Sequence, residues 1–132
     1  MTELGTEQLH ALMPFAGELG IELVSAGRDE VVGRLTWTDR LTTSAGVLHG
    51  GVLMGLADSV GAVCAFLNLP DGADTSTTSS GTVFVRAARE GTVTATARPL
   101  YTGRSTSVVE VDVLDEHGRR LARTTQTQAV LT

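Results

Sequence analysis

One segment gathers residue types that can do chemistry at a spacing that matters: Gly46-Val-Leu-His49-Gly50-Gly51-Val-Leu-Met-Gly-Leu-Ala-Asp58. The paired glycines lead into Val52, Leu53, Met54, Leu56, Ala57, Val60, Ala62, Val63, Ala65 and Phe66. So apolar a run reads as a helix buried nearly all round. Its first turn offers backbone N–H groups that lack intrahelical acceptors and can hold an oxyanion. Asp58, two turns further on, puts a carboxylate where charge is costly unless it is paired or working. An anion-stabilising helix end and a buried carboxylate together suit acyl transfer.

Spacing adds a constraint. Gly50 and Asp58 are eight positions apart, or about 12 Å along a helix. One carbonyl cannot touch both. If both act on one substrate they come from different chains, and a two-fold dimer with antiparallel helices would bring Gly50 of one beside Asp58 of the other.

The elements that must position these residues follow from pattern. Leu9, Leu12, Met13, Ala16 and Leu19 recur at helical spacing from Thr6 to Leu19, with Thr6 as a cap and Pro14 kinking or dividing the helix. Gly20 ends it. Ile21–Val24 and Val31–Thr38 read as strands, the second with Val31, Gly33, Leu35 and Trp37 on one face. A polar connection over 39–48 leads to the apolar helix, and Pro70-Asp71-Gly72 closes that region. Thr75–Arg86, Gly91–Tyr101, Ser105–Leu114 and Arg120–Leu131 then read as four strands with no helix between them, an antiparallel meander. The class is α+β.

The stretch HGGVLMGLAD resembles the helix signature of hotdog-fold acyl-CoA thioesterases, the PaaI-like and 4-hydroxybenzoyl-CoA group. The segments TSSGTVFVRAAREGTVTA and PLYTGRSTSVVEVDVLDEHGRRLARTTQTQAVL extend the resemblance from about Ile21 to the C-terminus. It implies a hotdog fold, an antiparallel sheet wrapped round a long central helix. It implies that the Gly50 N–H polarises the thioester carbonyl and that Asp58 acts as nucleophile or as general base for water. His49, at the helix start, would shape the site, and Gly51 would lie against coenzyme A. Many relatives carry Asn or Gln six residues before the His; here that position is Thr43, whose hydroxyl is shorter and offers one donor rather than two. Ser76 and Thr77 fall near where relatives place a hydroxyl that assists the attacking water. Coenzyme A carries several phosphate charges, and Arg86, Arg89 and Arg104 are candidates to hold them, ahead of Arg119, Arg120 and Arg123. Gly55 and Ala62 would leave room for a bulky acyl group, aryl or medium-chain.

The remaining composition narrows the alternatives. The chain has 132 residues, 42% of them hydrophobic, which suits one domain over 1–132 with an N-terminal helical segment at 1–20. A net charge of −5 argues against nucleic acid or an anionic membrane as partner. The opening residues show no basic-plus-apolar leader, and Asp58 and the glycines make 52–67 a core helix, so a cytoplasmic location is expected. Cys64 is the single cysteine and reads as a small core hydrophobe. His10 and His117 read as surface residues, and the histidines lack metal-ligand spacing. The expected protein is therefore a cofactor-free acyl-CoA thioesterase acting as a homodimer at minimum, with a homotetramer expected. Its rivals are a hotdog dehydratase, disfavoured by the Gly-Gly setting of His49, and a non-catalytic acyl-CoA-binding protein.

Overall fold

The computed structural model describes residues 4–132; residues 1–3 of the expected N-terminal segment lie outside the described residues. The periodic stretch from Thr6 forms two helices, α1 (Thr6–Leu12) and α2 (Pro14–Leu19). Pro14 divides the run because a proline disfavours helical backbone in the residue before it, and Met13 sits at φ −128°, ψ 83°. Thr6 is not the cap. Gly5 precedes α1 and its N–H donates to Gln8 Oε1 at 3.0 Å. Thr6 Oγ1 instead accepts the Leu23 N–H at 2.9 Å, tying α1 to the first strand. Gly20 closes α2 at φ 75°, a left-handed position that suits glycine.

The strands are β1 (Glu22–Ala26), β2 (Val31–Thr36), β3 (Asp74–Phe84), β4 (Thr92–Thr102), β5 (Thr106–Leu114) and β6 (Arg120–Leu131), with the long helix α3 (Gly50–Leu67) between β2 and β3. They form one six-stranded sheet in the order β1-β2-β4-β5-β6-β3, every pairing antiparallel. The C-terminal strands do not run as one meander. β4, β5 and β6 do, but β3 lies at the far edge and pairs with β6, Asp74 opposite Leu131 and Phe84 opposite Ala122. The chain changes edge through α3, which packs against all six strands.

Alternation supplies the core. Val93, Ala95 and Ala97 of β4 and Val109, Val111 and Val113 of β5 point inward with Leu53, Leu56, Val60, Val63 and Cys64 of α3. Burial pushes the Cys64 thiol up to about 11. The helix rests so close to β2 that a Cβ on Gly33 would lie 2.6 Å from Val60 Cγ2.

α3 is not buried all round. Gly51, Met54 and Asp58 are exposed, and Gly55 and Ala62 beside them are only partly covered, which defines one open stripe. Its 18 residues have the length and hydropathy of a membrane-crossing segment, yet α3 is the core helix that the sheet wraps.

Candidate active site

The start of α3 is built by its own sequence. His49 is the N-cap, extended at φ −60°, ψ 135°, and its Nδ1 accepts the Gly51 N–H at 2.8 Å. With Nδ1 engaged by the helix start, Nε2 is the ring nitrogen left to meet a ligand. Val52 N–H and Leu53 N–H reach His49 O at 2.8 and 3.3 Å. The Gly50 N–H finds no acceptor among the described residues. Of the paired glycines, Gly50 keeps a free donor and Gly51 does not.

The connection before the helix is held in place backbone by backbone. Thr43 N–H donates to Val47 O at 2.8 Å, Leu48 N–H to Ala88 O at 2.8 Å, and His49 N–H to Leu41 O at 3.0 Å. Trp37 Nε1 donates to Gly46 O at 2.9 Å. Within this loop Ala45 takes φ 64°, the left-handed region that a side chain disfavours. A cleft of about 420 Å³ opens beside it, lined by Thr43, Val47, Gly50, Leu53, Phe84 and Arg86 among others.

Asp58 sits elsewhere. It lines a separate cleft of about 270 Å³ with Met13, Phe15, Ala62, Thr77 and Gln128 among its neighbours. The sequence expectation of a buried carboxylate is corrected here: Asp58 is exposed on the open stripe. Thr77 Oγ1 lies 2.8 Å from Asp58 Oδ1 and 2.6 Å from Gln128 Oε1. One hydroxyl carries one proton, so it donates to one of the two oxygens at a time. Of the two hydroxyls expected near the carboxylate, Thr77 is the one in contact; Ser76 lines the same cleft without bonding Asp58.

Behind Thr77 lies a polar cluster that the sequence reading missed. Gln126 and Gln128 are 0% exposed. Gln126 Nε2 donates to Gln128 Oε1 at 2.9 Å and lies 3.3 Å from Thr77 Oγ1, and Gln128 Nε2 donates to Thr75 Oγ1 at 3.1 Å. The signal was available: Thr124, Gln126 and Gln128 occupy inward-facing alternate positions of β6, where a core strand ordinarily carries apolar residues.

The arginines divide by position. Arg86 and Arg89 share a polar cleft of about 290 Å³ after β3, with Arg119, Glu90, Asp115, Glu116 and His117. β3 stops at Phe84, so both stand in the following loop and not on the strand. Arg104 lies in the β4–β5 turn, at the opposite end of β4, about 30 Å away for a strand of this length. It is near the Asp58 end, since Ser105 O accepts the Val130 N–H at 3.0 Å. No single phosphate group reaches all three within one chain. His117 is exposed as expected, while His10 is half-buried, its Nε2 2.6 Å from Ile21 O. No metal-ligating cluster occurs among the described residues.

Residues 45–122 match the thioesterase superfamily, and the chain belongs to that family. The fold matches the crystal structure of the thioesterase HI1161 from Haemophilus influenzae with a TM-score of 0.91 and 28% identity, covering 99% of this chain and 93% of that one. The proofreading thioesterase EntH of Cronobacter turicensis is 31% identical over 113 residues, 86% of this chain and 82% of that protein. The 1,4-dihydroxy-2-naphthoyl-CoA hydrolase of Escherichia coli is 30% identical over 115 residues, 87% of this chain and 85% of that protein. The sheet wrapped on α3 is the hotdog fold, and the protein is a hydrolase of the thioester-cleaving class.

Proposed function

We propose that the protein is an acyl-CoA thioesterase whose active site is completed by a second copy of the chain. The observation that carries this reading is the separation of two half-sites: Gly50, with its free N–H, lines one cleft, and Asp58, with its Thr77 partner, lines another. A two-fold pairing of antiparallel α3 helices joins them. The edge of the sheet supports the same pairing. β3 is an eleven-residue edge strand bonded on one side only, and it ends in exposed Val83 and Phe84, followed by exposed Val85, beside Gly50.

In the joined site the thioester carbonyl oxygen accepts the Gly50 N–H at the positive end of α3, where negative charge develops as the carbonyl becomes tetrahedral. Asp58 of the second copy attacks the carbonyl carbon or takes a proton from the attacking water, and the coenzyme A thiol departs. The Thr77 hydroxyl holds one carboxylate oxygen; Asp58 Oδ2 has no partner among the described residues and is left to react. His49 shapes the helix start, and Thr43 lines the Gly50 cleft where relatives carry a longer amide. No cofactor is required, since a thioester is already activated. Arg86 and Arg89 stand at the Gly50 end and Arg104 at the Asp58 end, so the pairing that joins the half-sites also draws these cations together around one coenzyme A.

The test is thiol release from a panel of aromatic and aliphatic acyl-CoAs, run beside binding of the same compounds. Turnover of at least one acyl-CoA is expected. Tight binding across the panel with no thiol released would establish the non-catalytic binding protein instead.

A further inference from the structure

The Asp58 cleft has a second wall that the hydrolytic chemistry leaves unused. Facing the polar side made by Asp58, Thr77 and Gln128 are Met13, Phe15 and Ala16 from the N-terminal helices, with Ala62 between them. Ala16 and Leu19 turn inward and anchor α2 to the core, which leaves Phe15 on the outer side, 60% exposed. The ring is nonetheless fixed at its inner edge. A Cβ on Gly55 would lie 3.0 Å from both Phe15 Cε2 and Leu19 Cδ1, so α2 is seated directly on α3 one turn before Asp58. The break at Met13–Pro14 sets the angle of this wall. A large aromatic side chain held at one edge and bare on the other, next to a reactive carboxylate, has an unfilled contact surface.

We propose that Phe15, with Met13 beside it, is the specificity-determining wall for the acyl group, and that it favours a flat aromatic acyl group over a short aliphatic one. The inference rests on the thioesterase reading above. A planar ring stacks on the open side of Phe15 with Ala62 leaving space beside it, and the carbonyl at its end comes to Asp58. Stacked or edge-on aromatic contact adds to the burial of the ring itself, which a two-carbon acyl group cannot match.

The experiment compares wild type with Phe15→Ala and Phe15→Leu on benzoyl-CoA and acetyl-CoA. It also measures, by calorimetry, binding of phenacyl-CoA, a thioether that cannot be hydrolysed. In Phe15→Ala the ratio of kcat/KM for benzoyl-CoA to that for acetyl-CoA should fall about tenfold, mainly through KM, and phenacyl-CoA affinity should fall by a similar factor. Phe15→Leu should lie between. An unchanged ratio with unchanged affinity overturns the proposal. So does wild type binding phenacyl-CoA no more tightly than coenzyme A, or a Phe15→Ala variant that loses its oligomeric state and both substrates alike. The two readings fail separately. Wild type that binds phenacyl-CoA through Phe15 but cleaves no thioester keeps the wall and loses the enzyme. Wild type that cleaves benzoyl-CoA with an immovable ratio keeps the enzyme and loses the wall.

Discussion

Asp58 and Thr77 carry the sharpest consequences for single residues. Asp58→Asn keeps the shape and the bond from Thr77 but removes the basic oxygen, and kcat should fall by about a hundredfold or more, the scale of losing a general base or nucleophile. Turnover within a few-fold of wild type would remove Asp58 from the chemistry. Thr77→Val removes the hydroxyl shared between Asp58 and the glutamine pair. Its effect should be about tenfold in kcat with KM little changed, because the hydroxyl orients the carboxylate and does not hold the coenzyme. Cys64 is a negative control at this scale. Its thiol is buried and pushed up to about 11, so thiol reagents at neutral pH should label it only after unfolding. Native-state labelling at the rate of a free thiol would contradict that.

Elements behave according to how closely they touch. α3 meets β2 at Gly33, where a Cβ would lie 2.6 Å from Val60 Cγ2 and 3.4 Å from Glu22 O. Gly33→Ala should therefore destabilise the fold by about 1–3 kcal/mol in urea titration, an overpacking effect. Between β5 and β6 an ionic contact adds to the backbone ladder. Arg123 Nε donates to Asp112 Oδ1 at 3.0 Å and Arg120 Nη2 stands 3.1 Å from the same oxygen, and the Arg123 hydrogen bond leads in holding the Asp112 carboxyl below the usual range. A carboxyl lowered in the folded state stabilises fully above its unfolded value and loses that contribution as pH falls through its folded value. The melting-temperature gap between wild type and Asp112→Asn should thus be present at pH 7 and close in acid. It should be modest, since the pair is on the surface and screened by salt. The helices and most strand limits were legible in the sequence because Pro14, Gly20 and strict alternation leave local marks. The placement of β3 beside β6 was not, since pairing across so long a stretch of chain has no local mark. The exposure of Asp58 was hidden for a different reason. The open stripe of α3 consists of Gly51, Met54, Gly55 and Ala62 around one carboxylate, and small and apolar residues of that kind have the composition of a core, so pattern alone does not mark the stripe as open.

For the whole molecule, the shared site can be tested by mixing lesions. His49 at ψ 135° already has the backbone that precedes a proline, and Gly50 is the first residue of α3 with an unbonded N–H. Gly50→Pro should therefore remove the oxyanion donor while keeping the helix, provided the Phe84 ring, 3.2 Å from a Cβ at that position, gives way. Asp58→Asn and Gly50→Pro homodimers should each be nearly inactive. A heterodimer holds one intact site and one doubly damaged site, so random mixing should restore about a quarter of wild-type activity. No recovery from verified, folded heterodimers would place both residues in one chain's site or remove one of them from it. Sedimentation should likewise find no active monomer.

The bare edge of β3 has a consequence for how the protein behaves at low concentration. The outward-pointing backbone N–H and C=O groups of this eleven-residue strand, those of about every second residue, run up to exposed Val83 and Phe84 and form a template that any extended chain can extend. If the proposed pairing covers this edge, a chain without its mate is adhesive as well as incomplete as a catalyst. Changes that weaken the pairing, such as a proline or a lysine placed on the outer side of β3, should separate two hazards that otherwise travel together. Each should lower activity on dilution, yet each should also suppress the light scattering that a merely weakened edge, with β3 left bare, would produce on warming.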